Sequence, residues 1–524
     1  MQTGGKKTDM SDAILVLDFG AQYAQLITRR IRELSVYSEL LPYDTPLEKI
    51  NEFRKKYELK GIILSGGPAS VETGPKMDKR IFEIGLPILG LCYGHQLIAH
   101  ELGGEVRASK SREYGKKNIH IQKPEGLLEG LSEKERVWMS HGDTVYKLPE
   151  GFERQASTST IKNAVYQNKE KGLYGVQFHP EVRHTKHGMK MLENFAFKIC
   201  KSTPNWKMGN FVEKTVKELK EKIGNEKVIM ALSGGVDSSV AAALIHKAIG
   251  ENLHCVYVNH GLVREGDPEK TKKVFEQLGF EHFYLEDASE KFLGRLKGIR
   301  DPEEKRRIIS EEFVKVFKEK AKSLEGKFGK IKFLGQGTIY PDRIESAQPS
   351  KTAAKIKSHH NIIMGELSFE LVEPLDELYK DEVRKVGEEL GMPKEIIVQW
   401  PFPGPGLAVR CVGEVTEEKL SVLRKADRII EEEIRKAGIY ESIWQAFPVY
   451  LPVKTVGVMG DHRTYEDIIA LRMVETTNAM AANFAKVDWK VLEKIASRIV
   501  NEIEGINRVV YDITNKPPAT IEFE

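Results

Sequence analysis

Pro87-Ile88-Leu89-Gly90-Leu91-Cys92-Tyr93-Gly94-His95-Gln96-Leu97-Ile98-Ala99 sets a cysteine between two glycines, after one apolar run and before another. Residues 88–91 have the composition of a buried strand and 95–99 open a helix, so Cys92 falls on a strand-to-helix turn. Glycines two residues before and two after the cysteine permit a turn tight enough to expose its side chain. This is the logic of a nucleophile elbow with sulfur in place of oxygen. The N-terminus of the following helix favours negative charge on that sulfur.

A thiolate nucleophile needs a proton shuttle and a group to orient it. Phe178-His179-Pro180-Glu181 offers both, at the end of a strand over 173–178. His179 fits the general acid/base and Glu181 its orienter. Backbone N–H groups from the segment Ser65-Gly66-Gly67-Pro68, such as those of Gly66 and Gly67, and from Tyr93 can stabilise an oxyanion. With the opening Asp18-Phe19-Gly20-Ala21-Gln22-Tyr23, these segments resemble class I (triad-type) glutamine amidotransferases over residues 13–200. The resemblance implies an α/β domain that hydrolyses glutamine to glutamate and ammonia through a thioester on Cys92. His179 and Glu181 would complete the triad, and Gly66, Gly67 and Tyr93 the oxyanion site.

A second loop has another chemistry. The strand pattern 227–232 runs into Ser233-Gly234-Gly235-Val236-Asp237-Ser238-Ser239 and then a helical stretch. Glycines let the backbone wrap an anion, and the helix N-terminus adds partial positive charge. The hydroxyls of Ser233, Ser238 and Ser239 can donate to phosphate oxygens, and Asp237 suits a phosphate-bridging Mg2+. The lysine and GK[ST] ending of a Walker A loop are absent. The full loop resembles that of the ATP-pyrophosphatase family, whose adenine-nucleotide α-hydrolase-like α/β fold supports adenylation with release of pyrophosphate. ATP binding is thereby implied for residues 233–239 and for Lys380 in Tyr379-Lys380-Asp381-Glu382-Val383-Arg384.

The substrate is indicated from the C-terminal end. Tyr511-Asp512-Ile513-Thr514-Asn515-Lys516-Pro517-Pro518-Ala519-Thr520-Ile521-Glu522-Phe523-Glu524 resembles the terminal signature of the GMP synthetase family. So do Gly335-Gln336-Gly337-Thr338-Ile339-Tyr340-Pro341-Asp342, Lys357-Ser358-His359-His360-Asn361 and Pro401-Phe402-Pro403-Gly404-Pro405-Gly406. The resemblance implies that xanthosine monophosphate (XMP) is adenylated on O2 and that ammonia then displaces AMP, giving GMP. It places XMP contacts on Arg306 (with Arg307 as the alternative), Asp342, Glu345, Gln445, Arg508, Lys516, Ile521 and Glu522. The chemistry agrees, because Arg508 and Lys516 suit a monophosphate and carboxylates suit ribose hydroxyls and purine N–H groups. The chain departs from the family pattern at Asn259-His260, where an acid is expected, and over 362–371, which is shortened and lacks a Gly-Gly.

The 524 residues allow about three domains. The boundaries fall at a polar tail over 1–12, an amidotransferase domain over 13–202, an ATP-pyrophosphatase domain over 203–400 and a smaller α+β domain over 401–524. The polar Ser202-Thr203-Pro204-Asn205 and the Pro401–406 segment supply the breaks. In the last domain the pattern predicts strands over 410–415, 453–459 and 508–513, and helices over 417–437, 464–486 and 488–503. The resemblance makes this domain the seat of a homodimer.

A net charge of +3 gives no bias toward polyanions, so nucleic acid is not expected as a partner. The four cysteines, Cys92, Cys200, Cys255 and Cys411, form no CxxC pair, which points away from zinc and disulfides and toward a reducing, cytoplasmic setting. No apolar run approaches the roughly 18 residues of a membrane span. A thiolating relative acting on tRNA would need a second reactive cysteine, and the nearest, Cys255, lies inside a strand pattern. The expected partners are small molecules: glutamine, XMP and ATP.

Overall fold

The protein is described by a computed structural model covering residues 10–21, 23–347, 369–476 and 481–524. The side chains of residues 109–111, 345–347 and 459 are also outside the description. The chain divides into two compact units, Met1–Lys207 and Met208–Glu524. Of the tail expected over 1–12, residues 1–9 lie outside the described residues.

In the first unit the strands are β1 Asp12–Asp18, β2 Tyr37–Pro42, β3 Glu58–Leu64, β4 Ile88–Leu91, β5 Glu105–Ile121, β6 Lys134–Lys147, β7 Glu153–Ser157, β8 Val165–Asn168 and β9 Leu173–Val176. They form one sheet in the order β2-β1-β3-β4-β9-β8-β7-β5-β6. The half from β2 to β9 is parallel, and the other half is antiparallel. Ala13 through Leu17 are fully buried, as an unbroken apolar run requires in a strand covered on both faces. Asp12 joins this strand instead of the tail, its carboxylate accepting from the Thr203 N–H at 2.7 Å.

The second unit contains a parallel sheet of β10 Val228–Leu232, β11 Leu253–Asn259, β12 Phe283–Asp287, β13 Phe333–Gly335 and β14 Glu370–Val372. Their order is β12-β11-β10-β13-β14 among the described residues. The order reverses at β10, so the loop leaving its C-terminal end opens into a crevice, the usual ligand position in doubly wound sheets. A third sheet holds β15 Gln445–Met459, β16 His462–Glu475, β17 Asn483–Phe484 and β18 Ile506–Tyr511. Here β16 pairs antiparallel with β15 and parallel with β18. One apolar core runs from Ile229 and Val256 of the parallel sheet to Leu471, Ile495 and Ile506 of the third.

Two expectations in the C-terminal region fail. The stretch 464–486 is not a helix but strands β16 and β17. Consecutive residues 469–474 are buried, so both faces of β16 are covered there, and the segment lacks the alternation of a half-exposed strand and imitates a buried helix. The stretch 410–415 is not a strand either. Gly406–Arg410 is a short 3-10 helix, Cys411 makes one isolated bridge to Tyr450, and Gly413 has φ +79°, outside the strand region. The helices Glu417–Lys436 and Trp489–Glu502 form as the periodicity predicts.

Candidate functional site

Cys92 sits at the end of β4, its N–H donating to Val176 of β9 at 2.8 Å, and the helix Tyr93–Glu101 follows at once. Its φ of 51° puts the backbone strain on the nucleophile itself. The flanking glycines are needed for room. A Cβ on Gly90 would meet Gly94 backbone atoms at 2.4 Å, and one on Gly94 would meet Leu64 O at 2.5 Å. The two strands and the helix therefore close on this turn only with glycine at both places.

His179 Nδ1 lies 2.7 Å from Glu181 Oε1. The imidazole and carboxylate are 7% and 1% exposed, so the contact is shielded from water. Burial pulls the His179 pKa down, but the Glu181 carboxylate and the hydrogen bond to Cys92 outweigh it and hold the ring well above the usual histidine range. His95, in the cysteine turn, is the opposite case: burial takes it to about 3, which leaves it neutral. A Cβ on Gly66 would stand 3.0 Å from His179 Cε1 and 3.7 Å from Cys92 Cβ, so the Gly66 backbone lies against both. Gly67 is pressed to 2.8 Å of Phe19 O by the same measure. Tyr93, as the first residue of its helix, presents an N–H with no intrahelical acceptor. The structure thus gathers Cys92, His179, Glu181, Gly66, Gly67 and Tyr93.

Sequence reasoning passed over residues beside them. Cys92 Sγ is 3.5 Å from Ser140 O and 3.8 Å from Gln177 Nε2. Gln96 Nε2 donates to Asp143 O at 2.8 Å and to Gln177 Oε1 at 3.2 Å. Gln96 stands one turn along the cysteine helix, a spacing that could have drawn attention to it.

In the second unit the loop after β10 leads into the helix Val236–Ile249. Gly234 has φ +75°, which glycine adopts without strain. Ser233 Oγ and Ser238 Oγ are 3.1 Å apart, and Ser238 and Ser239 both donate to Gly235 O. Lys380, the first residue of the helix Lys380–Glu389, reaches Asp237 Oδ2 at 2.5 Å. Asp237 Oδ1 is buried and has no hydrogen-bond partner. An unpaired carboxylate oxygen beside a phosphate loop is the donor a hard divalent cation takes. Gly337 packs on the same helix end, where a Cβ would be 2.9 Å from Ser238 N.

The expected XMP contacts fall into separate groups. Gln445 and Glu522 meet directly, Nε2 donating to Oε1 at 2.9 Å. Arg306 donates to the Glu524 carbonyl and pairs with Glu303, while Arg307 pairs with Glu304 and Glu311. Ile521 is half-buried against Phe447 and Val449. Lys516 is held through its backbone, which pairs with Ala482. Asp342 accepts from the Ile339 N–H at 3.1 Å at the start of the helix Tyr340–Ala347. Arg508 stands on β18 and donates to Val456 O at 3.3 Å, with no hydrogen bond to the Gln445–Glu522 pair. The Glu345 side chain and residues 357–361 lie outside the described residues. The missing acid at Asn259 has a neighbour in Asp287, whose Oδ1 accepts from Asn259 Nδ2 at 3.3 Å.

Fold and site together define a glutamine amidotransferase joined to a nucleotide-adenylating unit. The family description "Glutamine amidotransferase class-I" matches residues 15–199, "NAD synthase" matches 207–300 and "GMP synthase C terminal domain" matches 432–523. The chain is 52% identical over 518 residues to a protein of Brachyspira hyodysenteriae named GMP synthase [glutamine-hydrolyzing], covering 98% of this chain and 99% of that one. Proteins of the same name from Carboxydothermus hydrogenoformans and Aquifex aeolicus are 53% and 52% identical, each over 98% of this chain and 100% and 99% of theirs. The chain belongs to the family of glutamine-hydrolysing GMP synthases.

Proposed function

We propose that Cys92, His179 and Glu181 release ammonia from glutamine and that the second unit uses it to convert XMP to GMP. The enzyme is a ligase that forms a C–N bond with glutamine as amide donor and spends ATP as AMP and pyrophosphate. The observation that carries this reading is the pairing of a buried Cys–His–Glu constellation with an SGGVDSS loop in a chain matched end to end by glutamine-hydrolysing GMP synthases.

In the first half-reaction Cys92 Sγ attacks the glutamine amide carbon. N–H groups of Gly66, Gly67 and Tyr93 stabilise the oxyanion. His179, kept protonated by Glu181, gives its proton to the leaving ammonia, then takes one from the water that hydrolyses the thioester to glutamate. In the second, O2 of XMP attacks the α-phosphorus of ATP, pyrophosphate leaves, and ammonia attacks C2 to expel AMP. Residues 233–239 cradle the phosphates, and Lys380 offsets charge that grows as pyrophosphate departs. Asp237 would hold Mg2+, which neutralises phosphate charge when bound. Gln445, Lys516, Ile521 and Glu522 receive XMP, with Arg306, Asp342, Glu345 and Arg508 as further contacts.

Cys255 does not compete as a second nucleophile, because it is fully buried and burial pushes its thiol far up. The domain division at 203–400 and 401–524 and the homodimer belong to the same proposal. Val456, Val458 and Tyr465 expose 50%, 74% and 60% of their surface on β15 and β16, the kind of patch that a second copy covers. All four cysteines are free and buried, in keeping with a reducing, cytoplasmic setting. Among the described residues no helix is long and apolar enough to cross a membrane. The test of the division of labour is Cys92→Ala: glutamine-dependent GMP formation should vanish while ammonia-dependent formation persists. Loss of both in a folded variant would refute it.

A further inference from the structure

Residues 512–524 carry the expected XMP contacts Lys516, Ile521 and Glu522, yet among the described residues of this stretch only Lys516 makes a β-bridge, an isolated one to Ala482. Something other than a ladder must give this tail its shape. β18 leaves the sheet at Tyr511, where it pairs with Leu471, and the Asp512 N–H still donates to Leu471 O at 3.0 Å. The next residue along β16 is Arg472, whose side chain has no exposure at all.

The Arg472 guanidinium spends its donors on the tail. Nη1 donates to Thr514 O at 2.6 Å and meets Asp512 Oδ2 at 3.1 Å. Nη2 donates to Thr520 O at 2.9 Å and Nε to Ile521 O at 3.3 Å. One planar group therefore ties both ends of the 514–521 stretch to a rigid central strand, and Lys516 is presented from the closed loop between them. Buried guanidinium is costly unless its N–H groups are met, and here acceptors along the tail meet them. The ends beyond are fixed too: Arg410 binds Glu522 with two bonds of 3.1 Å, and the fully buried Lys305 pairs with Glu524.

We propose that Arg472 is a positioning residue for XMP: it touches no substrate but folds the tail into the shape that receives it. Lysine cannot replace it, because a single ammonium lacks the fork that spans Thr514, Thr520 and Ile521 together. The inference rests on the reading of the tail as the XMP site, so its experiment separates the two.

Ammonia-dependent GMP formation is measured on the full chain for wild type, Arg472→Lys, Arg472→Gln and Glu522→Gln, with XMP and ATP varied independently. Both Arg472 variants should raise KM for XMP at least tenfold while KM for ATP stays within about twofold. A binding isotherm for XMP alone should weaken in step, and basal glutaminase activity should not change. If Glu522→Gln raises KM for XMP and Arg472→Lys does not, Arg472 is only a structural arginine and the proposal is wrong. If Arg472→Lys raises both KM values alike, or lowers only the folded yield, it is wrong in the same way. If Glu522→Gln leaves KM for XMP unchanged, the tail is not the XMP site and the proposal falls with that reading. Should Arg472→Gln not fold, Arg472→Lys decides alone, since it keeps the charge that Asp512 needs.

Discussion

Arg410 and Glu522 stand 112 positions apart in the chain and meet through paired bonds of 3.1 Å, Nε to Oε2 and Nη2 to Oε1. Arg410 has no side-chain exposure and Glu522 has 18%, so the arginine lies beneath and the carboxylate keeps an open side. Asp427, 3.8 Å from Arg410 and 3.1 Å from Arg264, extends the pairing into the core. Glu522→Gln should keep the shape but weaken a charge-assisted contact worth roughly 1.5–3 kcal/mol, raising KM for XMP about tenfold or more. Arg410→Met should strip Glu522 of its cation and leave Asp427 to Arg264 alone, costing about 3–5 kcal/mol of stability, read by denaturant unfolding.

Glu181→Gln removes the carboxylate that lifts His179. The raised pKa keeps the imidazolium, the proton donor to leaving ammonia, present to higher pH than an ordinary histidine allows. Without Glu181 that form is lost at lower pH, so the alkaline limb of the glutaminase profile should move down. The maximal rate should fall by about 10²-fold or more, within the range of general acid–base effects. An unmoved alkaline limb would contradict the role given to the pair.

Gly337→Ala places a methyl group 2.9 Å from Ser238 N and 3.0 Å from the Asp237 carbonyl carbon. Both are backbone atoms and cannot swing away, so the phosphate loop must shift. KM for ATP should rise more than tenfold at a stability cost of about 1–3 kcal/mol. Glutamate release by the first unit should be unchanged, and steady-state assays of both half-reactions check this.

Asp237→Asn removes the charge from the one buried carboxylate oxygen of the phosphate loop that lacks a hydrogen-bond partner. At fixed ATP, the Mg2+ concentration giving half-maximal synthesis should rise at least tenfold. An unchanged requirement would place the cation elsewhere.

The two active loops are legible in the sequence because each is local. An apolar strand, glycines and a helix start lie within a dozen residues, and the C-terminal ends of parallel strands present whatever follows. The roles of Gly90, Gly94 and Gly337 were only half legible, since what forbids a Cβ there is the approach of Leu64, Gly94 and Ser238 in space. The error over 464–486 has one cause, that a strand buried on both faces loses its alternation. Its consequence is larger than a misnamed element. On a helix Arg472 would be an ordinary surface cation, whereas on β16 it is the residue that grips the tail. Arg410 and Lys305 were equally hidden, because their partners Glu522 and Glu524 lie more than a hundred residues away and no local pattern links them.

The most direct test gives the enzyme XMP, ATP and Mg2+ with glutamine labelled by 15N in its amide, and follows nucleotides and glutamate together. GMP should carry one 15N, and AMP, pyrophosphate and glutamate should appear in equal amounts with it. ADP and phosphate in place of AMP and pyrophosphate, or GMP formed without the label, would contradict the account.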